Sequence, residues 1–358
     1  MREITECKEQ YSIVVVGAGP AGSNFTRMID SNKYKVLLAD GSERKGEKVC
    51  GGLLSPDAQD LFAKYDISLP KEILVSPQLF SVRTIDLNLE QIRHYRRSYM
   101  NLNRAKFDEF LIDLIPDTVD ATKAYCKSVR KENGRFLIEL QKGNEKKVVS
   151  CDYIVGADGA SSIVRKSLFP KANIEKYTAI QQWFLAEKEN PYYSCIFDHK
   201  TSPSCSWIFF KDGYLVFGGA FAQKHCRAAF EEQKKKLVKR GIVPKEVFEH
   251  PVKTEACMVS RPHLLSGICR GKGHALLLGE AAGFISPSSF EGISYALKSG
   301  EALASAFNNA EEKFVYKKYC KKTRLLCLKV WLKCIKHPFM FQKTLRSLIL
   351  KSGLMSIK

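Results

Sequence analysis

Apolar and polar positions alternate between two periods along this chain, and the switch marks its elements. Ser12–Val16 is a β-branched apolar run, and the segment after it to Ile29 has helical spacing. Lys35–Ala39 then reads as a second buried strand ending at Asp40. Strand, helix, strand in this order predicts a βαβ unit with a parallel sheet. Phe136–Leu140 and Val148–Val155 flank Gly143-Asn144 and predict a hairpin. Four aromatic-rich strands follow, at Tyr177–Ala186, Tyr193–Phe197, Ser204–Phe210 and Tyr214–Phe221, separated by turn signals such as Lys211-Asp212-Gly213. They predict an antiparallel sheet. From Lys313 to about Ile335 neither Pro nor Gly interrupts a helical pattern, and His337-Pro338 is expected to break it.

Composition narrows this little. At 358 residues with 45% hydrophobic and 27% charged positions, the chain is an ordinary globular sequence of two or three domains. Charge is the departure: 57 Lys+Arg against 38 Asp+Glu gives +19. Nucleic acid, an anionic membrane surface and anionic ligands all fit such a sum. Its distribution is more informative, because residues 313–358 hold 13 Lys/Arg and no acid. On a helix, Lys318, Lys322, Lys329, Lys333 and Lys336 fall within an arc of roughly 80°, with Cys320, Cys327, Trp331 and Cys334 opposite. Such a segment either caps the fold with its apolar side or lies on anionic lipid. It carries no base-reading module, so nucleic acid is not an expected partner.

The twelve cysteines include no C-x-x-C pair and the seven histidines no pair at ligand spacing, so no metal site is expected. The polar start MREITECKEQ lacks the apolar stretch of a signal peptide, and no run of about 18 uncharged apolar residues exists. Reduced thiols and a cytoplasmic location, peripheral at the inner face of the membrane, are the expectation.

The first strand runs into Gly17-Ala18-Gly19-Pro20-Ala21-Gly22, a G-x-G-x-x-G turn opening a helix, with Asp40 closing the next strand. Gly17 permits the tight turn, Gly19 lets the backbone approach a pyrophosphate, and Gly22 allows close helix–strand packing. The helix start offers free N–H groups to phosphate, and Asp40 can accept from an adenosine ribose. Two later segments have related form: Gly156-Ala157-Asp158-Gly159 after an apolar strand, and Gly279-Glu280-Ala281-Ala282-Gly283 after Leu276-Leu277-Leu278.

Together the three segments resemble the FAD fingerprint, the D-G motif and the G-D motif of the para-hydroxybenzoate hydroxylase-like fold. Further residues resemble its geranylgeranyl reductase family: the Cys50-Gly51-Gly52 loop, and Arg104 with Phe107-Asp108 as R-x-x-F-D. Cys205-Ser206-Trp207-Ile208-Phe209-Phe210 is similar to its Y-x-W-x-F-P motif, with the Tyr and Pro replaced, and Gly283 through Pro287 to Glu291-Gly292-Ile293 to its G-x-x-x-P-x-x-x-E-G-I stretch. The likeness covers roughly residues 10–310, nearest a bacterial branch whose substrates are less settled than those of the prenyl reductases.

This resemblance implies an α/β fold: a Rossmann-like FAD-binding domain (1–75, 100–175, 270–312), an inserted antiparallel-sheet substrate domain (76–99, 176–269) and a basic helical segment (313–358). It places the dinucleotide on Gly17, Gly19, Pro20, Ala21, Gly22 and Asp40, with Gly51, Gly52, Arg104, Asp158, Gly159, Gly279, Glu280, Gly283, Gly292 and Ile293. Glu280 would bond the ribityl chain, where the family has Asp. Cys50 and Trp207 are the side chains nominated for catalysis, and the substrate implied is a lipophilic small molecule. The reaction implied is reduction of a carbon–carbon double bond, with FAD-dependent oxygenation or a non-catalytic redox sensor as alternatives. No second G-x-G-x-x-G unit stands for NAD(P)H, so the electron donor stays open.

Overall fold

The computed structural model describes residues 1–41, 48–263, 267–342 and 345–346, with the side chains of 340 and 341 left aside. Two eight-stranded sheets organise them. The first contains β1 (Gln10–Val16), β2 (Val36–Asp40), β6 (Asp120–Lys123), β7 (Tyr125–Glu132), β8 (Arg135–Lys142), β9 (Glu145–Gly156), β15 (Gly271–Lys272) and β16 (Ala275–Leu277). Its spine runs β15-β16-β9-β1-β2-β6, and β8 joins β7 to β9. β1 lies parallel to both β2 and β9, with Val15 paired to Leu38 and Val155. Ile13, Val14 and Val15 are fully buried, which is why an unbroken β-branched run, rather than an alternating one, encodes this strand. β8 and β9 form the expected hairpin.

The second sheet contains β3 (Leu53–Leu54), β4 (Leu79–Asp86), β5 (Gln91–Asn101), β10 (Glu175–Leu185), β11 (Tyr192–Phe197), β12 (Ser206–Lys211), β13 (Tyr214–Ala222) and β14 (Pro251–Arg261). Its order is β14-β10-β13-β12-β11-β4-β5-β3, antiparallel except where β11 meets β4. Pairing across β12 and β13 sets Trp207 opposite Gly218 and Phe209 opposite Val216.

Nine helices surround the sheets among the described residues: α1 (Pro20–Met28), α2 (Pro56–Lys64), α3 (Arg104–Asp113), α4 (Ile163–Leu168), α5 (Cys226–Lys239), α6 (Lys245–Glu249), α7 (Ile293–Asn308), α8 (Val315–Lys322) and α9 (Arg324–Phe341). α1 and α7 pack closely; Cβ on Gly300 would stand 2.7 Å from the Ala21 carbonyl oxygen. Val315, Tyr319, Leu326, Val330 and Cys334 join the core of the first sheet, so α8 and α9 are part of the folded body.

Two expectations for the basic segment need correction. The helical pattern is interrupted at Thr323, whose hydroxyl bonds back to the Tyr319 carbonyl (2.8 Å) while Arg270 caps the Cys320 carbonyl (3.0 Å). Pro338 does not end the helix either; α9 continues to Phe341 and closes with Gln342 N–H on the Pro338 carbonyl (3.0 Å). Tertiary bonds at His337 hold this turn. Its Nε2 donates to the Pro203 carbonyl (2.6 Å), and Arg261 reaches Nδ1 (2.7 Å). Burial, helped by Arg261, holds that imidazole down at about 4, hence neutral.

Candidate active site

A cavity of about 540 Å3 lies between the two sheets. One end is backbone. β1 runs into Gly17, whose φ of +102° is open to glycine, and a Cβ there would stand 2.6 Å from the Ala157 oxygen. A Cβ on Gly22 would come within 1.9 Å of the Gly17 oxygen, so α1 seats on the strand only because position 22 has none. Gly19 caps α1 and meets nothing within 4 Å at the Cβ position, as does Gly159 across the cavity. Both glycines therefore border open space, and the first-turn amides of α1, at Ala21 and Gly22, have no intrahelical acceptor.

Acidic groups frame this end. Asp40 lines the cavity at the end of β2, ion-paired with Lys123. Asp158 accepts from the Ile163 and Val164 amides at Oδ2 (2.7 and 3.3 Å), while its buried Oδ1 has no hydrogen-bond partner. Burial pushes the Asp158 carboxyl up, against those amides. A buried acceptor left open on a cavity wall suits a hydroxyl or N–H of a bound molecule.

The other end is built from side chains. Cys50, Gly51, Arg104, Trp207, Phe209, Gly292 and Ile293 all line the cavity there. Gly52 turns the loop at φ +65°, and its missing Cβ leaves room for the Leu102 carbonyl and the Lys211 ammonium. The Gly52 amide donates to Cys50 Sγ (3.4 Å), and the Arg104 guanidinium also contacts that sulfur. Burial works against the Arg104 cation, but Asp108 (2.8 Å) and Cys50 outweigh it and keep it firmly protonated. Trp207 lies across Gly218, where a Cβ would stand 2.5 Å from the indole nitrogen, and donates to Gln181 (3.1 Å). Phe209, fully buried, faces Gly51. Trp183 and Phe217 do not line the cavity.

Lysine 211 escapes sequence reasoning. At the last position of β12, before a turn, a lysine reads as solvent-facing. Instead its ammonium is buried and donates to the Gly51 (2.6 Å) and Leu102 (2.8 Å) carbonyls, tying β12 to the Cys50 loop. Burial lowers it to about 8, with Cys50 pulling the other way. Only the partner carbonyls, about 110 and 160 positions away, identify its role.

Four of the expected cofactor residues are brought near the cavity without lining it. Gly22, Gly52, Gly279 and Gly283 shape turns and packing behind the wall. Glu280 lines it: Oε1 accepts from the Ser260 amide (2.7 Å), and Oε2 pairs with Lys48, which lines the cavity too. The start of α7 at Gly292-Ile293 points into the cavity, with Glu291 accepting from the Ser294 amide (2.8 Å).

These features fit an extended dinucleotide. Glycine-lined space and the α1 amides suit a pyrophosphate, Asp40 a ribose, and the open oxygen of Asp158 a further donor. The start of α7 would lie against a ring system beside Cys50 and Trp207.

Comparison with known proteins agrees. Residues 130–312 match the FAD binding domain family. The chain is 39% identical over 354 residues to Protein CbrA of Escherichia coli O157:H7, covering 98% of each chain. CbrA of Escherichia coli K12 matches to the same extent. Among solved structures, a geranylgeranyl bacteriochlorophyll reductase-like protein from Thermoplasma acidophilum superimposes with a TM-score of 0.77 at 21% identity, over 95% of this chain and 91% of its own. The p-nitrophenol 4-monooxygenase PnpA from Pseudomonas putida does so with a TM-score of 0.73 at 13% identity, over 97% and 95%. At those identities the superpositions speak for the fold alone. With its backbone cradle, its two-sheet cavity and 39% identity to CbrA over nearly its whole length, the chain belongs to the CbrA proteins and to the FAD binding domain family.

Proposed function

We propose that this protein reduces a carbon–carbon double bond of a prenyl or other lipophilic substrate. The observation that carries the reading is the wall facing Cys50. Trp207, Phe209, Ala220, Val259, Ile285 and Phe290 make an apolar surface suited to a hydrocarbon chain and poor for a charged one. When bound, FAD supplies the hydride in its reduced form; the electron donor that regenerates it is proposed to be NAD(P)H or another reductant.

The chain's own residues do the rest. Trp207, held flat by Gly218 and Gln181, orients the alkene, and the aromatic wall excludes water. Reduction needs a proton on the carbon next to the one that receives hydride. The Cys50 thiol is the candidate donor, with Arg104 beside its sulfur and Lys211 holding its loop.

The test is anaerobic. Protein loaded with FAD is reduced with dithionite, mixed with prenyl diphosphates or a lipid extract, and the products are weighed by mass spectrometry. A gain of two hydrogens supports the reductase. Product formed only after oxygen is admitted, carrying one added oxygen, would establish an oxygenase instead. Tight FAD with no substrate-dependent reoxidation would make the protein a redox sensor.

A further inference from the structure

Helix α9 presents three faces. Leu326, Val330, Cys334 and His337 are buried against the body. Lys329 and Lys333 occupy one flank and turn toward the protein: Lys329 pairs with Asp57 (3.1 Å), and Lys333 stands over the Tyr295 ring (5.4 Å). The third face is apolar and open to solvent. Leu325 is 76% exposed, Leu332 52% and Phe339 50%, with Leu328 and Trp331 also exposed between them. Successive residues at about 100° put these five within an arc of about 120°, along about 21 Å of helix. This inverts the usual surface helix, whose lysines face water and whose leucines face the core.

An apolar stripe of this length on a protein surface marks a contact. Its surroundings say with what. Lys317, Lys321, Lys322 and Arg324 are exposed at its N-terminal end, and residues 313–358 hold no acid that could offset them. No described helix is long and apolar enough to cross a membrane. We infer that α9 docks the protein on an anionic bilayer surface, burying Leu325, Leu328, Trp331, Leu332 and Phe339 among acyl chains while the α8–α9 junction meets the headgroups. Tyr295, beneath Lys333, lies two residues beyond the cavity-lining Ile293, so α9 packs on the helix that closes that end of the cavity. The inference stands on surface chemistry and is independent of the reaction proposed above.

The experiment uses the full FAD-loaded chain and sedimentation with large vesicles of phosphatidylglycerol and phosphatidylethanolamine, or of phosphatidylcholine alone. The expected result is pelleting with the anionic vesicles and a blue shift of tryptophan emission that Trp331→Phe abolishes. Leu325→Gln/Leu328→Gln/Leu332→Gln is expected to weaken partitioning by about tenfold or more, without changing flavin content or the thermal transition. Lys317→Gln/Lys321→Gln/Lys322→Gln lowers it by about two orders of magnitude, and salt mimics the loss. If the triple leucine variant fails to fold, Trp331→Ala gives the same reading at smaller amplitude. No pelleting, equal binding to phosphatidylcholine, or binding indifferent to these exchanges overturns the proposal. A dimer formed without lipid and dissociated by the leucine exchanges would make a second copy the occupant. Binding that arises only after truncation behind Arg346 would give the face to the chain's own end. Either result also overturns it.

Discussion

The two ends of the cavity are made by different means. At the β1–α1 end the first sheet offers backbone: turns, free amides and space where Cβ atoms would be, with Asp40 and Asp158 at the margins. At the Cys50 end the second sheet offers side chains, and each is placed by strand register: Trp207 over Gly218, Phe209 against Gly51, Lys211 reaching two carbonyls of other segments. A backbone cradle admits almost no substitution, whereas a side-chain wall can be rebuilt while the sheet stays intact. One scaffold can thus keep a common cofactor while its substrates diverge.

The hardest blow to this contrast is Gly22→Ala. A Cβ within 1.9 Å of the Gly17 oxygen forces α1 off the strand, and more than about 3 kcal/mol of stability should be lost together with bound flavin. A variant that purifies yellow with an unchanged melting temperature would refute the packing role.

Lys211→Met probes the tie between β12 and the Cys50 loop at the side-chain end. The folded state holds this ammonium at about 8, below its ordinary 10.5, so the unfolded chain binds more protons across that window. Wild-type stability therefore gains on the variant as pH rises from about 8 to 10.5, by on the order of 3 kcal/mol. Urea unfolding of both proteins at pH 7.5 and 10 measures the difference. Parallel pH dependence would mean that the ammonium is not buried in solution.

Gly218→Ala attacks the wall alone. The added methyl meets the Trp207 indole at 2.5 Å and should cost about 1–3 kcal/mol, with FAD retained and turnover reduced. Pairing it with Trp207→Phe restores stability but not turnover if the indole orients substrate. Recovery of both would reduce Trp207 to packing.

Cys50→Ser disturbs the fold least, by under about 1 kcal/mol, and tests the chemistry most directly. If Cys50 donates the proton, kcat should fall about ten- to a hundredfold at unchanged KM and flavin content. An unaltered kcat removes Cys50 from the reaction.

The backbone-built end of the cavity was legible because its information is local. G-x-G-x-x-G after a β-branched run, and the acid at the end of the next strand, lie within one βαβ unit. Glycines at 17 and 22 answer contacts within that unit and with the neighbouring strand. The four central strands of the second sheet were legible too, from aromatic-rich runs and turn residues. Beyond that, local pattern misled. Lys211 gave only a turn signal, and Pro338 looked like a helix stop, until contacts with Leu102, Gly51, Pro203 and Arg261 decided otherwise.

The basic tail shows the same division. Sequence determined that residues 313–358 carry no acid, that 313 to about 335 is helical in period, and that Lys329, Lys333 and Lys336 share a side, because these follow from composition and the α-helical repeat. Which side faces the body is a different kind of fact. It depends on Asp57 and Tyr295 receiving lysines, and on the first sheet's core taking Leu326, Val330 and Cys334. Leucine at 325 and leucine at 326 are the same residue to any local pattern, yet one is 76% exposed and the other 9%. Burial is a property of what lies opposite, so only the tertiary structure could decide which apolar face the helix keeps and which it offers.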